Sequence, residues 1–298
     1  AMGLYGLSAL AGSLGVVEFC LFASEAFTSA QSKRFFPAIS AGGVLGAVVG
    51  SGIAVVLLSL LPVGSLLLVA AGLALGTALL VAQSAEPDAT LPVERAPKPA
   101  LSGGLGLLSS DRYLLRVAVL VVTSTLAVLT LDYLFKSTAA ARFPKSELGP
   151  FFARYYGAAN TAALAVQLLV AGRMLRRFGV ATALAVLPIC LVAGSAGLLL
   201  MGGSFAVLLL TKGADGALRH SLHRVSSELL YLPLEPALRD RATPLVDSVL
   251  ARSAQAVGAG VLLVLASFGL GTVVVLSGVV IALALVWVVA AASIRRPY

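Results

Sequence analysis

Charge is what this chain has least of. Only 11% of its 298 residues are Asp, Glu, Lys or Arg, against roughly a quarter in soluble globular domains, so water is not the solvent for most of its surface. Cysteine is nearly absent too: Cys20 and Cys190 each lie inside an apolar run without CxxC or Cys/His spacing, which argues against a disulfide or a zinc site. The two histidines, His220 and His223, have no third ligand at metal spacing. No Gly-rich phosphate loop, metal set or activated nucleophile is present, so the chain does not read as an enzyme and calls for no cofactor. Acidic residues number 13 against 21 basic ones, a formal net charge of +8. The basic residues cluster at the ends of apolar runs, which suits lipid headgroups and topology control and speaks against the basic groove of a nucleic-acid binder. The first apolar stretch lacks a basic leader and runs too long for a cleavable signal peptide.

What is there instead is hydrocarbon: 59% hydrophobic residues and a mean hydropathy of +1.01. A bilayer span needs about 20 predominantly apolar residues. Nine stretches qualify, roughly 4–29, 38–60, 64–82, 113–136, 151–171, 180–201, 203–219, 244–267 and 270–293. The runs are continuous and do not alternate every second residue, so they read as helices and exclude a membrane β-barrel. The expected fold is an all-α polytopic membrane protein whose principal partner is the lipid bilayer. Lys33 and Arg34, the group Arg95, Lys98, Arg112 and Arg116, then Arg173, Arg176 and Arg177, the segment 219–241, and Arg295 and Arg296 fall in alternate connections, and only the connection 137–150, with Arg142 and Lys145, breaks the pattern. The positive-inside rule then puts the C-terminus in the cytoplasm, as in a multi-pass protein of a bacterial inner membrane.

The longest polar segment, 83–111, carries Pro87, Pro92, Pro97 and Pro99 and mixed charge, and reads as a cytoplasmic linker. It divides residues 1–82, with three spans, from residues 112–298, with six. Major-facilitator carriers join two six-helix bundles by such a linker, so 1–82 is expected to be the remainder of an N-terminal bundle lacking three helices. Gly172-Arg173-Met174-Leu175-Arg176-Arg177-Phe178-Gly179 resembles the G-x-L-x-D-R-x-G cytoplasmic loop of that superfamily, with Arg176 where the motif has Asp. An ordinary basic stop between two helices is the alternative.

Ionisable residues inside a span cost about 2.5–3.5 kcal/mol each on the insertion scale. Glu18, Glu25, Asp132 and Lys136 stand out on that ground. Asp132 and Lys136 are four apart, on one helical face and close enough to pair, either as a structural pair snorkelling near a helix end or as a charge pair lining a cavity. Glu18 and Glu25 also share a face, as do Asn160 and Gln167, which interhelical hydrogen bonding would equally explain. Gly42, Gly46 and Gly50 form a small-xxx-small ladder suited to close packing or to a rocking seam. In the charged stretch 219–252, Asp247 and Arg252 fall near or inside the next apolar helix, where an arginine can hold a phosphate bidentately.

Three landmarks resemble the ATP/ADP antiporter family of plastids and intracellular parasites. Phe22-Ala23 through Lys33-Arg34-Phe35-Phe36-Pro37, followed by the glycine ladder, is similar to that family's fourth and fifth helices. Asp132-Tyr133-Leu134-Phe135-Lys136 resembles an acidic-x-x-x-Lys element of its seventh helix. Glu228-Leu229-Leu230-Tyr231-Leu232-Pro233-Leu234 resembles its E-x-A-Y-I-P-L, with Asp247 and Arg252 at the spacing of the next Asp and Arg. The resemblance implies a twelve-helix alternating-access carrier with a small anionic substrate such as ATP or ADP, and cationic side chains on the phosphates. The candidate substrate-binding set is Asp132, Lys136, Arg252, Asp247, Asn160, Glu25, Lys33 and Arg34. Two positions depart from the pattern: Ala30 and Gln31 replace acidic residues before the basic pair, and Gln255 replaces a lysine three positions after the arginine. Two other readings stand beside a nucleotide carrier. One is a membrane sensor or anchor that keeps the carrier fold, with a soluble regulatory domain beyond the C-terminus, and the other a proton-coupled carrier using Asp132 or Glu18.

Overall fold

A computed structural model describes residues 29–62, 64–84, 106, 108, 111–231 and 233–294. The chain divides into two compact units, residues 1–49 and 50–298. Of the first, the described part is the beginning of helix α1 (Ser29–Leu60), whose Leu45 and Val49 are exposed. The expected spans 4–29 and the linker 83–111 lie largely or wholly outside the described residues, as does Glu18.

The second unit holds the end of α1, then α2 (Ser65–Ser84), α3 (Arg112–Arg142), α4 (Lys145–Val166), α5 (Gly172–Leu200), α6 (Phe205–Leu218), α7 (Arg224–Leu229), α8 (Pro236–Thr243), α9 (Ala251–Ser267) and α10 (Val273–Ser293). Wider π-type turns at Gln167–Ala171, Arg219–His223 and Pro244–Leu250 join α4 to α5, α6 to α7 and α8 to α9. Among the described residues all regular structure is helical. Four helices among the described residues are long and apolar enough to cross a membrane: Arg112–Arg142, Lys145–Leu200, Arg241–Ser267 and Val273–Ser293.

Local chemistry sets the boundaries. Asp111 caps α3, its carboxylate accepting from the backbone N–H groups of Tyr113 and Leu114. The helix runs past the expected end at 136 because Ser137 to Arg142 contain no breaker. It stops at Phe143, held extended (φ −111°, ψ 143°) by the following Pro144. The 56 residues of Lys145–Leu200 would run for about 84 Å if straight, more than twice a hydrocarbon core of about 30 Å. Gly179 breaks the run at φ 77°, ψ 172°, a conformation closed to residues with a side chain, just where the basic motif ends.

α10 packs most extensively, with α3 and α5 against it. It buries Leu276, Val280, Ala284, Trp287 and Ala291 on one face and exposes Val274, Leu285, Val286 and Val289 on the other. Both faces are apolar, the pattern of a helix whose outer solvent is lipid. With lipid outside there is no hydrophobic drive between helices, so close approach carries the packing. The tightest approach lies between α5 and α6, where a Cβ built on Gly194 falls 2.3 Å from Thr211 Oγ1 and 2.9 Å from its Cβ. Gly258 of α9 admits the side chains of Leu126 and Leu129 in the same way, at 2.6 and 3.0 Å. No described neighbour stands within 4 Å of a Cβ at Gly42, Gly46 or Gly50, so this structure gives the expected ladder no packing partner.

Gly194→Ala is therefore expected to lower stability by about 1–3 kcal/mol through overpacking, with part recovered by adding Thr211→Ala. Gly278→Ala, with nothing within 4 Å, should be near neutral. Thermal unfolding in detergent measures all three, and a neutral Gly194→Ala would contradict the close approach.

Candidate functional site

The second unit carries a chain of ions through its apolar core. On α6 and the turn after it, Lys212, Asp215, Arg219 and His223 recur at intervals of three, four and four residues, which puts them on one helical face. That face meets Asp132 of α3. Lys212 Nζ lies 3.1 Å from Asp132 Oδ1 and 2.8 Å from Asp215 Oδ2, and Arg219 Nη2 lies 3.1 Å from Asp215 Oδ2. Lys136 Nζ closes the other end at 2.7 Å from Asp132 Oδ2. The sequence of charges is Lys136, Asp132, Lys212, Asp215, Arg219, so each carboxylate sits between two cations. Lys212 is 2% exposed and Asp215 0%. Burying a lone charge at that depth is strongly unfavourable, and the two carboxylates within 3.1 Å offset that cost.

Beside this chain is a cavity of about 420 Å³. α3 lines it with Ser124, Thr125, Val128, Leu129 and Asp132, the π turn after α6 supplies Arg219 and His223, α9 supplies Gln255 and α10 Trp287. The α3 positions share one face by helical spacing. The hydroxyls of Ser124 and Thr125 donate to the Val121 carbonyl at 2.9 and 2.7 Å, so their lone pairs remain for a ligand. The imidazole of His223 meets the Trp287 indole edge to face at 5.0 Å between ring centroids. In the π turn the Arg224 N–H reaches back five residues to the Arg219 carbonyl, and such turns recur at functional positions.

One end of the ion chain is sealed by aromatics. Phe135, Phe143, Phe151, Phe152, Tyr155, Tyr156 and Phe205 pack with ring centroids 4.6 to 6.4 Å apart where α3 ends, α4 begins and α6 begins. The Tyr155 hydroxyl donates to the Leu209 carbonyl at 2.8 Å, which ties this seal to the helix bearing Lys212. Rings packed at these distances cover the part of the ion chain next to Phe135 with apolar surface.

Residues 63–298 match the family described as TLC ATP/ADP transporter. The chain belongs to that family. One curated relative, "ADP,ATP carrier protein 1" of Chlamydia trachomatis serovar D, is 24% identical over 224 residues, which cover 67% of this chain and 42% of the relative. The chain thus spans less than half the length of the curated relative it matches. No solved structure matches it. As a member of the TLC family with several long apolar helices, it is a multi-pass membrane protein.

The structure brings together only part of the set that the TLC resemblance suggested. Asp132 lines the cavity and pairs with Lys136. Arg252 is exposed on α9, and its Nη1 donates to Gln255 Oε1 at 3.2 Å, so it reaches the cavity through Gln255 and is not among the lining residues. Asp247 accepts from the Tyr231 hydroxyl at 2.7 Å; burial and that carboxylate hold the phenol well above its usual range. Asn160 donates to Ser51 Oγ at 3.0 Å, the interhelical bond that was the alternative to a binding role. The side chains of Lys33 and Arg34 on α1, and Glu25, lie outside the described residues. Sequence reasoning passed over Lys212 and Asp215 and left Arg219 and His223 in a polar segment outside the bundle. Their one-face spacing within an apolar helix was the signal that could have found them.

Lys212→Met strands two carboxylates and is expected to cost about 3–5 kcal/mol, whereas adding Asp215→Leu should recover part of that loss. Lys136→Met should cost no more than about 1 kcal/mol, because that lysine is 42% exposed. Thermal unfolding of the purified variants ranks them, and equal losses for Lys212 and Lys136 would refute the central place of Lys212.

Proposed function

We propose that this chain belongs to an alternating-access carrier of a nucleotide or another small anionic metabolite. The observation that carries the reading is the cavity itself. It lies within the segment matched to the TLC family, and the ion chain beside it holds three cations against two carboxylates. Its one uncompensated positive charge ends at Arg219, on the cavity wall. A guanidinium on the cavity wall, held in place by Asp215, is suited to a carboxylate or phosphate. Asp132 and Lys136 act in this reading as the anchor that holds Lys212 and Asp215 in place, and Arg252 as a cation at the rim.

In the same reading the chain has major-facilitator-type architecture, with residues 1–82 from one bundle, 83–111 as the linker and 112–298 as a six-helix bundle. Nine helices cross the bilayer. The Gly179 break makes two passes of Lys145–Leu200, and the helix from Phe205 to Leu229 crosses with its charges turned inward. The setting is a bacterial inner membrane with the C-terminus in the cytoplasm, supported by the basic residues at alternate connections. ATP or ADP is the first substrate to try, since the Chlamydia relative is named for them.

Proteoliposomes containing the protein should take up or exchange a labelled nucleotide with saturation, and Arg219→Gln should lose that uptake by tenfold or more, roughly the loss of one hydrogen bond to a charged group. Folded protein that moves no nucleotide would end the nucleotide reading, and one that moves no small organic anion at all would end the proposal.

A further inference from the structure

The surface of the second unit carries a strongly basic patch that neither the ion chain nor the cavity uses. Arg173, Arg176 and Arg177, at the start of α5, stand at positions i, i+3 and i+4 and therefore share one helical face. All three are exposed. Among the described residues none of them takes part in an ion pair. The neighbouring sequence offers no partner, since no Asp or Glu occurs between Glu147 and Asp215, and Arg176 itself stands where the loop motif has Asp. Three like charges this close repel one another unless an anion comes between them.

The same place is rich in open apolar surface. Arg173 Nη1 donates to the Leu169 carbonyl, and Arg176 Nη1 lies back over Gly172, 4.0 Å from a Cβ built there. Both guanidinium groups thus lean toward the turn Gln167–Ala171, whose Leu168 and Leu169 are 70% and 60% exposed, with Val170 exposed beside them. Arg177 lies over the exposed ring of Phe178, with 5.5 Å from the guanidinium carbon to the ring centroid. Each guanidinium has five N–H donors in a fork that matches phosphate oxygens. The leucines call for hydrocarbon and the arginines for phosphate, and a phospholipid supplies both in one molecule. Three uncompensated positive charges select a headgroup of net negative charge over a zwitterionic one, whose ammonium would be repelled.

We infer that Arg173, Arg176 and Arg177 form a binding site for an anionic phospholipid, with the phosphate on the guanidinium groups and the acyl chains along Leu168, Leu169 and Val170. The site is separate from the cavity and does not depend on what the chain carries.

Native mass spectrometry of the purified full chain in detergent, titrated with phosphatidylglycerol or with phosphatidylcholine of the same acyl chains, tests it. The first phosphatidylglycerol should bind roughly tenfold or more tighter than the first phosphatidylcholine, since each basic residue near an anionic headgroup is worth about a fivefold factor. Replacing all three arginines by glutamine should abolish that preference. Arg142→Gln, Lys145→Gln and Arg154→Gln together remove the same charge from exposed positions around the opposite end of α4 and should leave it within about twofold. Arg176→Asp, which leaves the patch one net positive charge, should by itself weaken phosphatidylglycerol roughly tenfold. The substituted side chains are exposed, and thermal unfolding confirms that each variant is folded. Equal affinity for the two lipids would overturn the inference. Equal losses in the two triple variants would also overturn it, because net charge and not this patch would then set the preference. Displacement of the lipid by excess inorganic phosphate would overturn it in favour of a site for free anions.

Discussion

The ammonium of Lys212 is the constraint on which the second unit is built. A single positive charge sits at 2% exposure in an apolar bundle, and only the carboxylates of Asp132 and Asp215 make that tenable. To bring them within reach, α3 and α6 must be in register, and α6 must present Lys212, Asp215 and Arg219 on one side. To keep α6 there, α5 must come close enough for Gly194 to lie against Thr211, where no side chain fits. Phe135, one turn beyond Asp132 on α3, packs against Tyr155, whose hydroxyl is bonded to α6 at Leu209. The close approach and the aromatic seal thus hold the geometry that the ion chain requires.

The solvent explains why such a chain lies inside. In water, the charges of α6 would turn outward and the leucines and valines of α10 inward. Here both faces of α10 are apolar and the polar side chains converge on the middle, because a charge facing hydrocarbon is more costly than one facing another charge. Backbone polarity obeys the same rule. The helices spend their irregularities, the three π turns and the break at Gly179, beside other protein segments or at basic ends, where freed carbonyls can be satisfied.

Much of the fold was legible in the sequence, because hydrophobic length is a local property. The apolar runs at 113–136, 180–201 and 270–293 correspond to helices with boundaries moved by a few residues, and the family resemblance carried by Asp132 to Lys136 and by Glu228 to Leu234 agrees with the match over residues 63–298. The extensions have plain causes: α3 continued because Ser137 to Arg142 hold nothing that stops a helix, and Pro144 ended it. The site was legible only in part. Asp132 and Lys136 could be paired from their spacing, since both lie on one helix. Arg252, which the resemblance groups with them, is exposed on α9 and bonded to Gln255 of the cavity wall. Asn160, polar inside a span, bonds to Ser51.

By itself the sequence determined the apolar, helical class, the approximate positions of several long apolar helices and the family, all of which follow from composition and from patterns within a few tens of residues. Only the tertiary structure decided which charges meet. Asp132 and Lys212 are eighty residues apart in the chain and 3.1 Å apart in space, and no periodicity within one helix can state which face of another helix it will meet. The same holds for the cavity: Ser124, Arg219, Gln255 and Trp287 come from four separate segments. Their convergence is fixed by interhelical packing at glycines and aromatics, where the energy depends on shape across the bundle and not on the order of residues along it.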